Sequence, residues 1–217
     1  MRRNVMLLWI LLIFVTPVFA TTVENIVVAP SDAWLGDSIN ISANCINNVT
    51  EISRVYADIA GPGIILPSLD MTGSPYAINV PGNYFDRRGS YTANVTCIAN
   101  ASTSTVANFL ISTLSSSIAL PSYVYTGDTL EISFMPKKND VVITSGVTFT
   151  VMIENQVTST IMPPIYDTQK GWLLRVVAPL DARTYGVSVI ANYQGKTLSS
   201  SGNVEIRPPL DFQITYL

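Results

Sequence analysis

The sequence contains no histidine and few charged residues of either sign. Of its 217 residues, 12% are charged, with 12 Lys and Arg against 15 Asp and Glu. Without histidine the chain cannot form a Ser-His-Asp or Cys-His catalytic arrangement, and it lacks the main ligand of catalytic zinc. The acidic excess leaves no basic face for nucleic acid. We therefore expect a protein that is not an enzyme, uses no cofactor or metal ion and binds no nucleic acid.

Long apolar runs are also scarce, and the longest lies at the N-terminus. Residues 1–20 begin with a pair of arginines, continue with an apolar run from Val5 and end at Ala20. This order is typical of a signal peptide cleaved after Ala20. The alternative is an uncleaved anchor, but the 16 residues from Val5 to Ala20 fall short of the roughly 20 that cross a bilayer. We predict a secreted or cell-surface protein that meets a membrane only through this leader, if the leader is retained.

The sequence does contain a motif that occurs twice. The two copies, 91 residues apart, are Pro30-Ser31-x-x-Trp34-x-Gly36-Asp37 and Pro121-Ser122-x-x-Tyr125-x-Gly127-Asp128. In both copies a Gly-Asp turn precedes a segment of alternating apolar and polar residues, which is the pattern of a half-buried β-strand. A repeat of this length suits a small β-sandwich better than a helical solenoid, whose units are shorter. The sequence therefore predicts two modules.

The repeat divides the chain into five parts. These are a signal peptide at 1–20, a first module at 21–113, a polar linker at 114–117, a second module at 118–208, and a terminal strand or the start of a further module at 209–217. The last part alternates, with Phe212, Ile214 and Tyr216 on one face. A strand of this kind can complete the sheet of a neighbouring molecule, as donor strands do.

The chain has two cysteines, both in the first module. Cys45 falls on the inward phase of the second predicted strand and Cys97 on that of the next-to-last strand. In an exported protein such thiols oxidise to one bond between the two sheets. The alternatives are a free pair and a metal site, although two sulfurs without histidine are few ligands for a structural zinc. We predict a Cys45–Cys97 disulfide.

This arrangement resembles an immunoglobulin-like domain, in which strands B and F carry the bridging cysteines. The first module departs from that family because its C strand has no tryptophan, and because Tyr91 lies six residues before Cys97 instead of two. Gly89-Ser90-Tyr91-x-Ala93-x-Val95 is similar to a strand of the tandem immunoglobulin-like modules of prokaryotic cell-surface proteins, archaeal ones among them. The second module has a matching Tyr185 strand, and a fibronectin type III sandwich would show the same pattern. The resemblance implies an all-β fold of two tandem immunoglobulin-like β-sandwiches.

Four Asn-x-Ser/Thr sequons lie in the first module, at Asn40, Asn48, Asn94 and Asn100. The motif is the acceptor of N-linked glycans in exported proteins. Asn40 and Asn94 fall on outward phases of strands that belong to opposite sheets in the immunoglobulin-like plan, while Asn48 and Asn100 follow strand ends. We predict glycosylation at these four sites, which would cover both faces of the sandwich.

Two further pairs of residues invite a functional and a structural interpretation. Asp37 and Asp128 are repeated carboxylates that, like Asp32, suit a calcium site between modules, but an aspartate before a strand is also what a turn requires. Trp34 and Tyr125 occupy equivalent places and suit a sugar platform, but aromatic residues there also cover the end of a core. We favour the structural interpretation of both pairs.

These observations lead to three hypotheses for function. The first is a non-enzymatic stalk or spacer of the cell surface, whose partners are other surface proteins or further modules of the same array. The second is a filament subunit or adhesin that self-assembles by strand donation through 210–217. The third is a carbohydrate-binding module, which requires Trp34 or Tyr125 to be exposed in a cleft.

Overall fold

A computed structural model describes residues 21–48 and 50–209 of the chain. These residues divide into two compact units, with the boundary between Ser112 and Thr113. The predicted leader at 1–20 and the alternating segment at 210–217 lie outside the described residues. Within the described part, no helix is long and apolar enough to cross a membrane.

The first unit contains eight strands and one short 3-10 helix. They are β1 (Thr22–Ala29), β2 (Asp32–Trp34), β3 (Ile39–Ile46), β4 (Arg54–Gly61), β5 (Ile64–Asp70), β6 (Tyr76–Val80), the 3-10 helix (Gly82–Tyr84), β7 (Gly89–Ile98) and β8 (Ser102–Ser112). Strands β5 and β6 lie in a stretch whose sequence is less regular, because prolines and glycines interrupt the alternation on which a strand prediction depends.

The strands of the first unit form two sheets. One has the order β1-β3-β6 and the other β2-β8-β7-β4-β5. The chain crosses between sheets at Pro30, so that β1 pairs antiparallel with β3 while β2 pairs parallel with β8. In the letters of immunoglobulin domains, these sheets are A-B-E and A′-G-F-C-C′.

The core of the first unit lies between the sheets and follows the period of two along each strand. Among its fully buried side chains are Ile39 and Ile41 from β3, Val55, Ala57 and Ile59 from β4, and Tyr91, Ala93, Val95 and Cys97 from β7. The residues between them are half-buried or exposed, with the exception of Thr96, which is 7% exposed.

The second unit repeats this plan with ten strands. They are β9 (Leu114–Ala119), β10 (Tyr123–Tyr125), β11 (Thr129–Lys138), β12 (Val141–Val142), β13 (Val147–Ile153), β14 (Gln156–Thr158), β15 (Ile165–Asp167), β16 (Gly171–Val177), β17 (Thr184–Tyr193) and β18 (Lys196–Arg207). One sheet has the order β10-β18-β17-β13-β14, and the other β12-β11-β16-β15 with β9 also paired to β11. Again the first strand pairs with one sheet and the next, β10, pairs parallel with the last strand of the other sheet.

The structure differs from the predicted linker at 114–117. These residues form the first part of β9 and pair with β11, with Leu114 opposite Lys138. One residue, Thr113, separates β8 from β9, and its N–H donates to Asn139 Oδ1 at 2.9 Å. The serines of this stretch are typical of a linker in the sequence. In the structure Ser116 forms a hydrogen bond with Ser200 on β18, with 2.8 Å between the two Oγ atoms. An edge strand tolerates such residues because its outer groups face water.

Candidate functional site

The repeated Gly-Asp motif forms a turn in both units. Gly36 and Gly127 adopt φ values of +90° and +77°, which favour glycine over any residue with a Cβ. In the first unit, Asp37 Oδ2 accepts the backbone N–H of Trp34 at 3.2 Å, while the Asp37 N–H returns to the Trp34 carbonyl at 2.9 Å. In the second unit, the Asp128 N–H bonds to the Tyr125 carbonyl at 3.1 Å. The repeated turns therefore fix the chain between β2 and β3 in the first unit and between β10 and β11 in the second.

The two cysteines form a disulfide that joins the two sheets of the first unit. Cys45 lies on β3 and Cys97 on β7, with their Cα atoms 6.0 Å apart. Cys97 is fully buried and Cys45 is half-buried. Both sulfurs are used in this bond, so the first unit has neither the free thiol pair nor the metal site that the sequence left open.

Tyr91 is fully buried among aromatic rings at the other end of the same core. Its ring stacks on Phe109 at a centroid distance of 5.5 Å and meets the edge of Phe85 at 5.3 Å. Its hydroxyl donates to the Arg87 carbonyl at 2.8 Å. The return of a phenol to the backbone a few residues upstream is the bond of a tyrosine corner, although the spacing to Cys97 differs from that of antibody domains. Burial, with the nearby Asp86 carboxylate, raises the pKa of the Tyr91 phenol above its ordinary value.

The second unit replaces the disulfide with an aromatic cluster. At the offsets of the repeat, Pro136 and Ala191 occupy the places of the two cysteines, and both are buried. The fully buried Phe134 meets Phe149 from the opposite sheet at 5.9 Å, and Phe149 meets Trp172 at 5.2 Å. The Trp172 indole N–H is satisfied by the Ile143 carbonyl at 2.8 Å. Large rings that span the gap between the sheets thus supply the contact area that a small unbridged core needs.

The sequon asparagines lie in different surroundings. Asn40 is exposed on the sheet formed by β1, β3 and β6, and Asn94 is half-buried on β7 in the opposite sheet. Asn48 and Asn100 are exposed in the loops that follow β3 and β7. The predicted distribution over both sheets and two strand ends is thus the one found in the structure, while their glycosylation remains a prediction.

The loops that carry Asn48 and Asn100 meet at the buried residue Thr21. The Thr21 hydroxyl donates to the Ala101 carbonyl at 3.3 Å and accepts from Asn47 Nδ2 at 3.0 Å. The two loop sequons therefore lie at the same end of the first unit, which is the end where the described chain begins. This contact could not be inferred from the sequence, because it joins residues 80 positions apart.

Each copy of the repeated motif contributes one aromatic residue to its own unit. Trp34 and Tyr125 are both half-buried, and Tyr125 meets the edge of Tyr123 at 5.8 Å. Tyr123 is the more exposed of the two tyrosines, at 42%, and the Arg207 guanidinium lies 4.1 Å from its ring centroid. An exposed ring covered by a cation offers little free face to a sugar.

Three carboxylates of the described residues take part in turns or ion pairs. Asp58 accepts the Ser68 N–H at 2.6 Å, and Asp167 accepts the Lys170 N–H at 2.8 Å. Glu131 pairs with Arg175 at 2.9 Å and with Lys170 at 3.2 Å, and the bond from Arg175 is the main reason that the pKa of Glu131 lies below its usual value. Among residues 21–48 and 50–209, no three Cys, Asp or Glu side chains are grouped to hold a metal ion.

Both units have the immunoglobulin-like topology, so the chain consists of two immunoglobulin-like β-sandwiches in tandem. Comparison with solved structures finds low likeness in sequence. Fibronectin(III)-like modules of CbhA from Clostridium thermocellum are 18% identical, with a TM-score of 0.38 over 91% of this chain and all of that one. Three N-terminal domains of the highly immunogenic outer capsid protein of bacteriophage RB49 are 10% identical, with a TM-score of 0.46 over 88% and 71% of the two chains.

A further solved structure is an adhesin, stabilised by Ca²⁺, with which an Antarctic bacterium binds ice. It is 13% identical, with a TM-score of 0.46 over 87% of this chain and 49% of that one. Searches against protein-family models and against curated proteins find no match. The assignment of the fold therefore rests on the strand order and on the disulfide between the sheets.

Proposed function

We propose that the chain is a non-enzymatic extracellular protein that serves as a spacer on a cell surface. The observation that carries this proposal is that each unit closes its own core and that one residue, Thr113, joins the two. A spacer needs modules that keep their shape without a ligand. Each sandwich here has its own core, and the first is also cross-linked by a disulfide.

The chemistry of the surface supports the same proposal. Only 12% of the residues are charged, so few of the exposed side chains on either sandwich carry a charge. The Cys45–Cys97 disulfide favours an oxidising compartment outside the cytosol. In this proposal the partners are other surface proteins or further modules, and the sequon asparagines carry glycans that shield the first module.

Expression of the full chain in a host with a secretion pathway tests the proposal. We expect the exported form to start at Thr21, to be accessible to protease on intact cells and to elute as a monomer in size-exclusion chromatography with light scattering. Retention of the chain in the cytosol would contradict the proposal.

One observation favours strand donation as a second candidate. In the second unit a hollow of about 290 Å³ opens between β14 and β16, and Val157 and Val177 on its rim are 72% and 50% exposed. An open sheet edge with apolar residues is a suitable acceptor for an added strand. Deletion of 210–217 separates the candidates, because concentration-dependent polymers that disappear on deletion would support donation, whereas a monomer in both forms would reject it.

A further inference from the structure

The sequons Asn94-Val95-Thr96 and Asn100-Ala101-Ser102 lie in the same hairpin but differ in accessibility. All three residues of the Asn100 sequon are exposed, and they span the turn between β7 and β8. In the Asn94 sequon, Val95 is fully buried, Thr96 is 7% exposed and Asn94 is half-buried. Two sequons six residues apart therefore form a matched pair, in which the Asn100 sequon is exposed to solvent and the Asn94 sequon is largely covered.

The backbone around Asn94 is fixed on both sides. In the ladder Asn94 lies between Asp58 on β4 and Val106 on β8, and Thr96 lies between Tyr56 and Ser104. The Asn94 Oδ1 atom is buried and has no hydrogen-bond partner among the described residues. The backbone of the Asn94 sequon is therefore held in the ladder on both sides, and part of its amide is covered.

Glycan transfer requires both polar groups of the sequon. The Asn Nδ2 atom attacks C1 of a sugar carried on a lipid phosphate, the C1–O bond breaks, and the phosphate leaves with the electron pair while a transferase base takes the amide proton. The motif also requires a hydroxyl residue at the third position, so the transferase must reach that hydroxyl. Thr96 as a whole is 7% exposed, so the folded module leaves little of this residue within reach of a transferase. A central strand opens only when most of the module opens.

We infer that Asn94 accepts a glycan only before the first module folds, whereas Asn100 accepts one before or after folding. This order of modification deepens the proposed function, since it rests on export to a compartment that holds a transferase. Occupancy at Asn94 then records whether modification preceded the folding of strands β4, β7 and β8.

Two variants of residues 21–217 test the inference. Each keeps one sequon: the first carries Asn40→Gln, Asn48→Gln and Asn100→Gln, and the second carries Asn94→Gln in place of Asn100→Gln. Both are made in a host without N-glycosylation, oxidised, and incubated with a purified oligosaccharyltransferase and a lipid-linked oligosaccharide. Synthetic peptides covering 89–99 and 98–105 give the rates of the unfolded sequons, and intact-mass spectrometry measures occupancy.

We expect the folded protein to be modified at Asn100 at a rate close to that of its peptide. At Asn94 we expect a rate lower than that of its peptide by a factor of about 1,000 or more, the scale set by the unfolded fraction of a stable domain. Adding Cys45→Ala and Cys97→Ala to the first variant should raise the rate at Asn94, because the unfolded fraction rises.

Three results would overturn the inference: modification of folded Asn94 at the rate of its peptide, a peptide of 89–99 that is no acceptor, or folded Asn100 as slow as folded Asn94. The assay uses purified protein. It is therefore independent of the test of export, and failure of the spacer proposal would be seen separately.

Discussion

Reduction of the Cys45–Cys97 disulfide should destabilise the first module alone. The bond closes a loop of 52 residues, and on the chain-entropy model restriction of such a loop in the unfolded state is worth about 4 kcal/mol. This is a large share of the roughly 5–15 kcal/mol that stabilise a domain. Because reduction leaves both sulfurs in the core, the change isolates the covalent link from the loss of packing that a Cys→Ala variant adds.

The chain provides one tryptophan reporter for each module once the leader is absent. Trp34 lies in the first unit and Trp172 in the second, so Trp172→Phe and Trp34→Phe variants follow each unit separately by fluorescence in urea. With an m value of about 2 kcal/mol/M, reduction should lower the midpoint seen by Trp34 by about 2 M and leave that seen by Trp172 unchanged. A shift of less than about 0.5 M at Trp34 would refute the entropy argument, and an equal shift at Trp172 would refute the separation of the two cores.

Four further predictions concern single side chains. Phe134→Ala should lower the free energy of unfolding of the second module by about 3–5 kcal/mol. The measurement is Trp172 fluorescence in urea, in the Trp34→Phe background. An unchanged midpoint would show that the aromatic cluster is not part of the core. Gly82→Ala should lower the free energy of unfolding of the first module by about 1–3 kcal/mol, because a Cβ there overlaps the Gly36 carbonyl. The control is Gly186→Ala, which should be nearly neutral in the second module because the nearest atom to its Cβ is 3.8 Å away. Equal losses of stability in the two variants would contradict the close approach at Gly82. Tyr91→Phe should cost about 1 kcal/mol through loss of the bond to the Arg87 carbonyl, and thermal unfolding that matches the wild type would argue against the corner. The pKa of Glu131 is lowered in the folded state, so the stabilisation that its ion pairs provide is present above the unfolded pKa, near 4.5, and is lost as the pH falls through the lower folded value. Glu131→Gln should remove this part of the dependence of stability on pH. A variant whose stability changes with pH as the wild type's does would contradict this prediction.

The sequence was sufficient to predict the strands with clear alternation. Strands β3 and β7 combine inward apolar residues with outward polar ones, so their faces and the pairing of Cys45 with Cys97 could be inferred from spacing. The Gly-Asp repeat likewise located the start of strand B in both modules, because a turn with positive φ restricts the residues that fit it.

Other elements depend on contacts that the sequence does not reveal. Strands β2 and β10 have three residues each and pair parallel with the last strand of their module, and so short a segment has no readable period. The difference between Asn94 and Asn100 is also invisible in the sequence, since both match the same motif. It arises from the neighbours that β4 and β8 place around Thr96.

The most direct test of the account is a comparison of NMR spectra. Residues 21–112 and 113–209 should each fold when expressed alone, and their amide peaks should overlay those of residues 21–217 except near Thr113. Poorly dispersed spectra from both separate pieces, with a well-dispersed spectrum from the whole chain, would show one shared core and contradict two independent sandwiches.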